Sequence, residues 1–215
     1  MTSNPLAIPT DPKAVTLAAL ARLRVAFPLQ ARLLAAPQAV RVMYAQILSY
    51  WLRATAPPVS AFDSAMLGVL VQLDAVVQEE QTLDCYPFST TDTGMRVTWP
   101  AGTASARGAI DALAIARRVC ADTRIDAACR ACGADIECRV QENGGLYHDQ
   151  VEVARVVWLS GQATDASRRE IYFLCRSCTP PPACECFSLP QASAIGNAFY
   201  GFQAALLAAH VGRAA

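Results

Sequence analysis

The sequence predicts an α+β protein, with a winged-helix-like N-terminal domain over residues 1–100 and a cysteine-rich core of mixed sheet and helices over residues 101–215. Three observations predict this class. Helical periodicity dominates the first 80 residues, strand-like segments dominate the middle of the chain, and two Cys-x-x-Cys turns follow strand-like segments in the second half. The chain has 215 residues, of which 53% are hydrophobic, so it can bury a core and lacks the composition of a disordered protein.

The N-terminal part is predicted to consist of helices followed by a two-stranded wing. Apolar residues recur at helical spacing in three segments. These are residues 14–26, residues 38–54, and a segment capped by Ser60 or Asp63 that runs through Leu70 and continues after a turn to Glu80. Alternating residues then predict strands at 82–86 and 94–99, with a polar turn at 89–93. Helices followed by a wing are the order of a winged-helix domain.

The second half is predicted to mix strands with helices. Its elements, in chain order, are a helix at about 104–119, strands at 123–128, 135–140, 151–159 and 170–174, and a closing helix at about 191–210. The first Cys-x-x-Cys turn lies between the first two of these strands, and the second follows the last strand. We therefore expect both turns at the ends of strands.

Charge and hydropathy exclude several classes of partner. The 18 basic residues balance the 18 acidic residues, so no net field attracts nucleic acid or an anionic membrane. The candidate recognition helix, Ala61–Leu73, contains neither arginine nor lysine, and we expect no DNA binding. No apolar run reaches the roughly 18 to 20 residues of a membrane span, and Met1–Asp11 lacks signal-peptide features. These observations predict a cytoplasmic monomer or homodimer that binds a small molecule or a soft metal ion.

The two Cys-x-x-Cys turns are the strongest chemical signal. Cys129 and Cys132 form the first turn, Cys175 and Cys178 form the second, and 42 residues separate the turns. In a reducing compartment structural disulfides are rare, and two such turns brought together form the tetrahedral four-thiolate site that zinc prefers. Gly133 suits a tight knuckle because glycine tolerates positive φ. The sequence predicts a structural zinc ion, with a redox dithiol and inert buried thiols as alternatives.

The remaining cysteines carry weaker signals. Cys184 and Cys186 form a Cys-x-Cys pair that is typical of soft-metal ligation or a labile thiol pair, and they could join Cys175 and Cys178 in one cluster. Three cysteines lack spacing partners and are expected to be small buried hydrophobic residues: Cys85, Cys120 and Cys138. The sequence has no phosphate-binding loop, dinucleotide-binding glycine motif or nucleophile elbow, so it predicts no organic cofactor.

The order of several short motifs resembles the alkylmercury (organomercurial) lyase family over most of the chain. Residues 107–113 (RGAIDAL) are similar to the family's Trp-Cys-Ala-Leu-Asp-Thr-Leu segment, and residues 129–134 (CRACGA) are similar to its His-Cys-Ala-Ala-Thr-Gly-Ala hairpin. Residues 171–175 (IYFLC) look like its Ser-Phe-Cys-Cys strand, and residues 193–203 (SAIGNAFYGFQ) look like its closing segment. The resemblance implies a winged-helix-like part joined to a mixed core.

The resemblance also implies a reaction, the protonolysis of a carbon–mercury bond. In the family, two thiolates bind the metal and a carboxyl group relays a proton to the departing carbon. The carboxyl position corresponds to Asp111, and the second thiol corresponds to Cys175 or its neighbour. The first thiol position holds Gly108, where this chain departs from the family. The thiols that could replace it are Cys178, Cys184 and Cys186.

Three functions remain open at this point. The first is a lyase that acts on a soft-metal–carbon bond through Asp111 and Cys175. The second is a divergent enzyme on the same fold, with a structural four-cysteine zinc site and a different small substrate. The third is a non-catalytic metal-binding or regulatory protein.

Overall fold

The computed structural model describes residues 11–159, 170–182 and 184–211. The helices in these ranges are α1 (Pro12–Ala26), α2 (Leu29–Ala35), α3 (Gln38–Leu52), α4 (Ser64–Gln72), α5 (Ala109–Val119), α6 (Leu189–Phe199) and α7 (Phe202–Val211). The strands are β1 (Val76–Glu79), β2 (Thr82–Cys85), β3 (Met95–Trp99), β4 (Gly102–Ser105), β5 (Thr123–Ala128), β6 (Asp135–Val140), β7 (Ala154–Trp158), β8 (Ile171–Cys175) and β9 (Glu185–Ser188). They build the predicted α+β class.

The N-terminal helices begin where the sequence supplies capping residues. The Asp11 side chain accepts a hydrogen bond from the Lys13 N–H at the start of α1, and Asp63 caps α4 in the same way. Seven of the fifteen residues of α3 are buried, so α3 is the core helix of this part. The predicted helices at 14–26 and 38–54 are confirmed. No single described helix is long and apolar enough to cross a membrane; α1 and α2 together pass that test but are bent by 54°.

The hairpin that follows α4 differs from the predicted wing. Residues 76–79, predicted as a continuing helix, form strand β1, which pairs with β2 in antiparallel register. Strand β3 pairs with β4 and β5 instead. The predicted pairing of residues 82–86 with residues 94–99 is therefore wrong, although a hairpin does follow the helices.

A buried carboxylate explains why the polar loop after β2 is not a hairpin turn. Asp84 is 1% exposed, and the Ser89 hydroxyl donates a hydrogen bond to it at 2.5 Å. The backbone N–H of Thr90 donates to the other carboxylate oxygen at 2.7 Å. These hydrogen bonds hold the loop against β2, whose strand partner is β1.

A four-stranded antiparallel sheet of order β4-β3-β5-β6 forms the centre of the second half. Strands β5 and β6 have their predicted bounds. The predicted helix at 104–119 begins only at Ala109, because residues 102–105 form β4. Strands β3 and β4 pair across residues 100 and 101, with Trp99 opposite Gly102. Residue 100, the predicted domain boundary, lies in the turn of this hairpin.

Helix α5 is central to the core, since nine of its eleven residues are buried. Helix α6 packs closely against it at Gly196, where a Cβ atom would lie 2.6 Å from the Ile110 carbonyl oxygen. Any side chain at this position would push the two helices apart. This close approach brings the end of α6 to the first turn of α5.

A three-stranded sheet of order β8-β7-β9 completes the described fold. Strands β7 and β8 confirm the predicted strands at 151–159 and 170–174 within a few residues. The predicted closing helix is instead two helices, because α6 ends at Phe199 with Tyr200 as its C-cap, and α7 starts at Phe202. The break places Tyr200 at the C-terminal end of α6 rather than inside a helix.

Candidate metal centre and active site

The first cysteine pair lies in a tight turn between β5 and β6. The Cys129 N–H donates to the Ala134 carbonyl and the Gly133 N–H donates to the Cys129 carbonyl, both at 2.8 Å. Gly133 has a φ of +74°, as the sequence predicts for a knuckle glycine. The turn therefore points the thiols of Cys129 and Cys132 toward the same side.

The second pair lies at the end of β8, next to this turn. Cys175 is the last residue of β8, and the Cys178 N–H donates to the Cys175 carbonyl at 3.2 Å. Two contacts join β8 to the first knuckle: the Cys175 N–H donates to the Cys129 sulfur at 3.3 Å, and the Arg130 N–H donates to the Phe173 carbonyl at 3.2 Å. The backbone itself brings the two Cys-x-x-Cys turns together.

The four sulfur atoms have the spacing of a tetrahedral thiolate site. All four lie within 4.8 Å of one another. The Cys175–Cys178, Cys132–Cys175 and Cys129–Cys178 sulfur pairs are 3.5, 3.7 and 3.8 Å apart. Four sulfurs about 2.3 Å from one central ion lie about 3.8 Å from each other. We name these four residues the cysteine cluster; they match the predicted metal-ligand set.

Electrostatics at the cysteine cluster favour a thiolate at one position. Burial alone would raise the pKa of the Cys129 thiol, but hydrogen bonds from the backbone N–H groups of Cys175, Cys132 and Ala131 lower it to about 6. Hydrogen bonds to Cys175 and Cys132 raise the pKa of Cys178 to about 12. The lowered pKa favours a thiolate at Cys129, whereas Cys178 must release its proton when a metal ion binds.

The predicted additional thiols lie outside the cysteine cluster. Cys184 is half-buried and Cys186 is exposed on β9. Burial raises the pKa of Tyr172, and electrostatic interaction with Cys184 and Cys186 adds to this effect. In the sheet, Val157 lies opposite both Tyr172 and Cys186, so Cys186 is on the same face as Tyr172. The four-sulfur group that the described residues form includes neither Cys184 nor Cys186.

The three unpaired cysteines divide into two groups. Cys85 and Cys138 are fully buried, and burial raises the pKa of each thiol to about 12, which confirms that they are unreactive core residues. Cys120 is exposed, so its predicted burial is wrong. It is the C-cap of α5, where its φ of +50° turns the chain out of the helix toward the surface.

Asp111, the predicted acid, is buried in the first turn of α5. It is 3% exposed, and its Oδ1 atom accepts a hydrogen bond from the Tyr200 hydroxyl at 2.5 Å. A negative charge in the first turn also interacts favourably with the helix dipole. Asp111 is not part of the cysteine cluster. The predicted acid and the predicted thiol Cys175 are thus held by different contacts.

Gly108 is the N-cap residue of α5, one turn before Asp111. Its backbone is extended, and it makes no side-chain cap. Immediately before it, Arg107 donates hydrogen bonds to Asp84 at 2.7 Å and to Glu79 at 2.6 Å. Burial would lower the pKa of Arg107, but the two carboxylates raise it above its ordinary value. This ion-pair network anchors the start of α5 to the β1–β2 hairpin.

Sequence reasoning missed Tyr200 and the Arg107 network. Tyr200 lies 89 residues from Asp111, and no local spacing links them. Arg107 and Asp84 are 23 residues apart and belong to different elements. One signal could have predicted the ion pair: Asp84 and Arg107 lie next to apolar segments, and a charged residue that is buried needs a partner of opposite charge.

A cavity of about 300 Å³ lies beside the cysteine cluster. Its walls include Thr93, Gly94 and Met95 from the start of β3, and Arg130 and Tyr172 from the opposite side. The Arg130 guanidinium lies over the Tyr172 ring at 5.1 Å from the centroid, so a cation and an aromatic face border the opening.

Comparison with known proteins gives the family context. Residues 88–179 match the sequence profile of the alkylmercury lyase family, MerB. The structure is similar to the crystal structure of the mercury-bound form of MerB2, with a TM-score of 0.60 at 18% sequence identity. This similarity covers 81% of the present chain and 96% of that chain. No curated protein matches the sequence significantly. Both positive findings agree with the resemblance that the sequence motifs indicate.

Proposed function

We propose that this protein, whose residues 88–179 match the alkylmercury lyase profile and whose fold is similar to that of MerB2, is an alkylmercury-lyase-like enzyme with a structural zinc site. In this proposal Asp111 protonates the carbon that leaves a soft metal, and the cysteine cluster binds zinc. One observation supports the catalytic part of the proposal: Asp111, at the position that matches the family's acid, is buried in the first turn of α5.

The zinc part of the proposal rests on the geometry of the cysteine cluster. The donor set is four sulfurs at tetrahedral spacing, from two Cys-x-x-Cys turns on different elements. Four-thiolate sites bind zinc in preference to hard ions. A bound zinc ion would cross-link the β5–β6 turn to the end of β8. The residues that would hold it are Cys129, Cys132, Cys175 and Cys178.

Zinc content tests this part directly. We expect about one zinc ion per chain in protein purified under reducing conditions without chelator. Less than about 0.2 zinc ions per chain would contradict the zinc proposal. The same measurement with added copper(I) or mercury(II) shows whether a softer ion displaces zinc.

The proposed reaction replaces a carbon–mercury bond by a carbon–hydrogen bond. The Asp111 carboxyl proton goes to the departing carbon, the carbon–mercury bond breaks, and mercury(II) remains bound to two thiolates. A thiol that becomes a mercury ligand returns its proton to Asp111. Burial of Asp111 excludes water from the carboxyl group and suits a proton donor.

The thiolates for mercury are the point at which this chain differs from its family. Gly108 supplies no sulfur, and Cys175 lies in the cysteine cluster. We assign the mercury-binding thiolates to Cys184 and Cys186, assisted by free thiol from solution. Both lie outside the cluster, are half-buried or exposed, and are two residues apart, whereas the exposed Cys120 has no neighbouring thiol in the sequence.

Hydrocarbon release from phenylmercury tests the reaction. We expect the protein to release benzene in excess thiol, and we expect Asp111→Asn to abolish release while mercury binding stays unchanged. Gly108→Cys should raise the rate, because it restores a thiol one turn from Asp111. If the unmodified protein and Gly108→Cys both release no benzene, the lyase proposal is wrong.

A divergent enzyme with a different small substrate is the second candidate. The engagement of Cys175 in the cysteine cluster, together with the glycine at position 108, favours it. This candidate predicts one structural zinc ion and no release of hydrocarbon. The zinc and benzene measurements therefore separate the two candidates.

A further inference from the structure

We infer that Tyr200 is a positioning residue for Asp111: its hydroxyl holds one carboxyl oxygen so that the transferable proton lies on the other. The inference rests on the proposed protonolysis. Its structural basis is the hydrogen bond from the Tyr200 hydroxyl to Asp111 Oδ1 at 2.5 Å, between a tyrosine that is fully buried and a carboxyl group that is 3% exposed.

Four contacts position Tyr200. Gly196 lets α6 lie against the first turn of α5, because a Cβ atom there would contact the Ile110 carbonyl at 2.6 Å. The Tyr200 N–H donates to the Gly196 carbonyl as the cap of α6. The buried Arg118 donates to the Tyr200 carbonyl at 2.9 Å, and Phe199 packs edge-on against the ring. The phenol is thus fixed from both helices.

The chemical consequence concerns the two oxygens of one carboxyl group. An oxygen that accepts a hydrogen bond is the poorer site for the acid proton, so the proton of neutral Asp111 lies on Oδ2. A donor to a carboxylate also stabilises its charged form, which is the form that remains after proton transfer. Tyr200 therefore orients the acid and stabilises the product of its step.

Tyr200→Phe is the test variant, because it removes the hydroxyl and keeps the ring. We expect kcat for benzene release from phenylmercury to fall by about tenfold to a hundredfold with KM unchanged. The matched control is Tyr44→Phe: Tyr44 is also fully buried, and its hydroxyl accepts a hydrogen bond from Gln203 at 2.7 Å. We expect the control to keep kcat within about twofold.

The pH profile separates positioning from simple packing. Activity requires the protonated acid and falls as the pH rises. Loss of the Tyr200 hydroxyl removes a donor that favours the charged carboxylate, so the falling limb should move to higher pH in Tyr200→Phe and stay in place in Tyr44→Phe.

Each outcome bears on the inference. Unchanged kcat and pH profile in Tyr200→Phe, with the unmodified protein active, would overturn the inference and leave the lyase proposal intact. Equal loss of activity and melting temperature in both tyrosine variants would also overturn it, because a structural role would then explain the effect. No benzene from either the unmodified protein or Gly108→Cys would overturn both proposals.

Discussion

Replacing Cys132 by serine removes one ligand from the cysteine cluster without disturbing the buried core. Cys132 is an exposed member of the cluster, and its sulfur lies 3.7 Å from that of Cys175. Cys120 provides a matched control, because it is also exposed but lies outside the cluster. Any difference between Cys132→Ser and Cys120→Ser therefore reports on metal binding rather than on the loss of a surface thiol.

The expected magnitude follows from mass action. A ligand that binds only the folded chain stabilises it in proportion to the logarithm of its affinity, so a hundredfold loss of zinc affinity lowers the free energy of unfolding by about 2.7 kcal/mol. For a chain of this size each kcal/mol changes the melting temperature by about 2–4 °C. We expect Cys132→Ser to melt about 5–11 °C lower than the unmodified protein at the same zinc concentration, and Cys120→Ser to melt within about 1 °C of it.

The assay measures thermal unfolding by circular dichroism in a zinc buffer. The zinc content of each variant is measured in parallel. Chelator should lower the melting temperature of the unmodified protein more than that of Cys132→Ser, because the variant has less zinc-binding free energy to lose. Equal melting temperatures and equal zinc content in the two serine variants would refute the reasoning.

Acidification should release the zinc ion, because protons compete with zinc for the thiolates of the cysteine cluster. Cys129, with a pKa of about 6, is already a thiolate at neutral pH, whereas Cys178, with a pKa of about 12, must lose its proton when zinc binds. Zinc binding therefore releases protons, so affinity falls as the pH decreases. We expect zinc content after dialysis to decrease from pH 8 to about pH 5; retention independent of pH would contradict thiolate ligation.

Three further predictions concern the rest of the fold. Gly196→Ala should destabilise the protein by about 1–3 kcal/mol in urea unfolding through a helix–helix clash, whereas Gly68→Ala, with nothing within 4 Å of the added Cβ, should be neutral or stabilising. Asp84→Asn should cost about 1–3 kcal/mol because Arg107 loses one of its two carboxylate partners, and the exposed Asp126→Asn should cost less than about 1 kcal/mol. Fluorescence anisotropy should detect no salt-sensitive duplex binding that depends on residues 61–73; submicromolar binding would contradict this prediction.

The sequence predicted the features that depend on neighbouring residues: strands, helix caps and the Cys-x-x-Cys turns. Strands β5 and β6 have their predicted bounds, and the cap at Asp63 and the knuckle glycine Gly133 are confirmed. The four metal-ligand candidates were found because each Cys-x-x-Cys turn is a local pattern and four thiols complete one tetrahedron. That the two turns lie next to each other could be established only from the three-dimensional structure.

Pairing between distant segments could not be predicted in the same way. Alternation identifies a strand but not its partner, so residues 82–86 and 94–99 were both recognised and then wrongly paired. Cys120 was expected to be buried because its spacing gave no other role, and the left-handed C-cap that exposes it depends on where α5 ends. Tyr200, whose hydroxyl contacts Asp111, is the C-cap at which α6 ends, and sequence periodicity did not locate this break.

Asp111 and the cysteine cluster belong to different elements, and strand β8 connects them. Strand β8 ends in Cys175 and also packs against α5, the helix that carries Asp111. A zinc ion in the cysteine cluster would hold the end of β8 against the β5–β6 turn and thereby stabilise the surface on which α5 lies. Loss of zinc should therefore loosen the packing of the acid as well as the cluster, even though Asp111 is not one of the ligands.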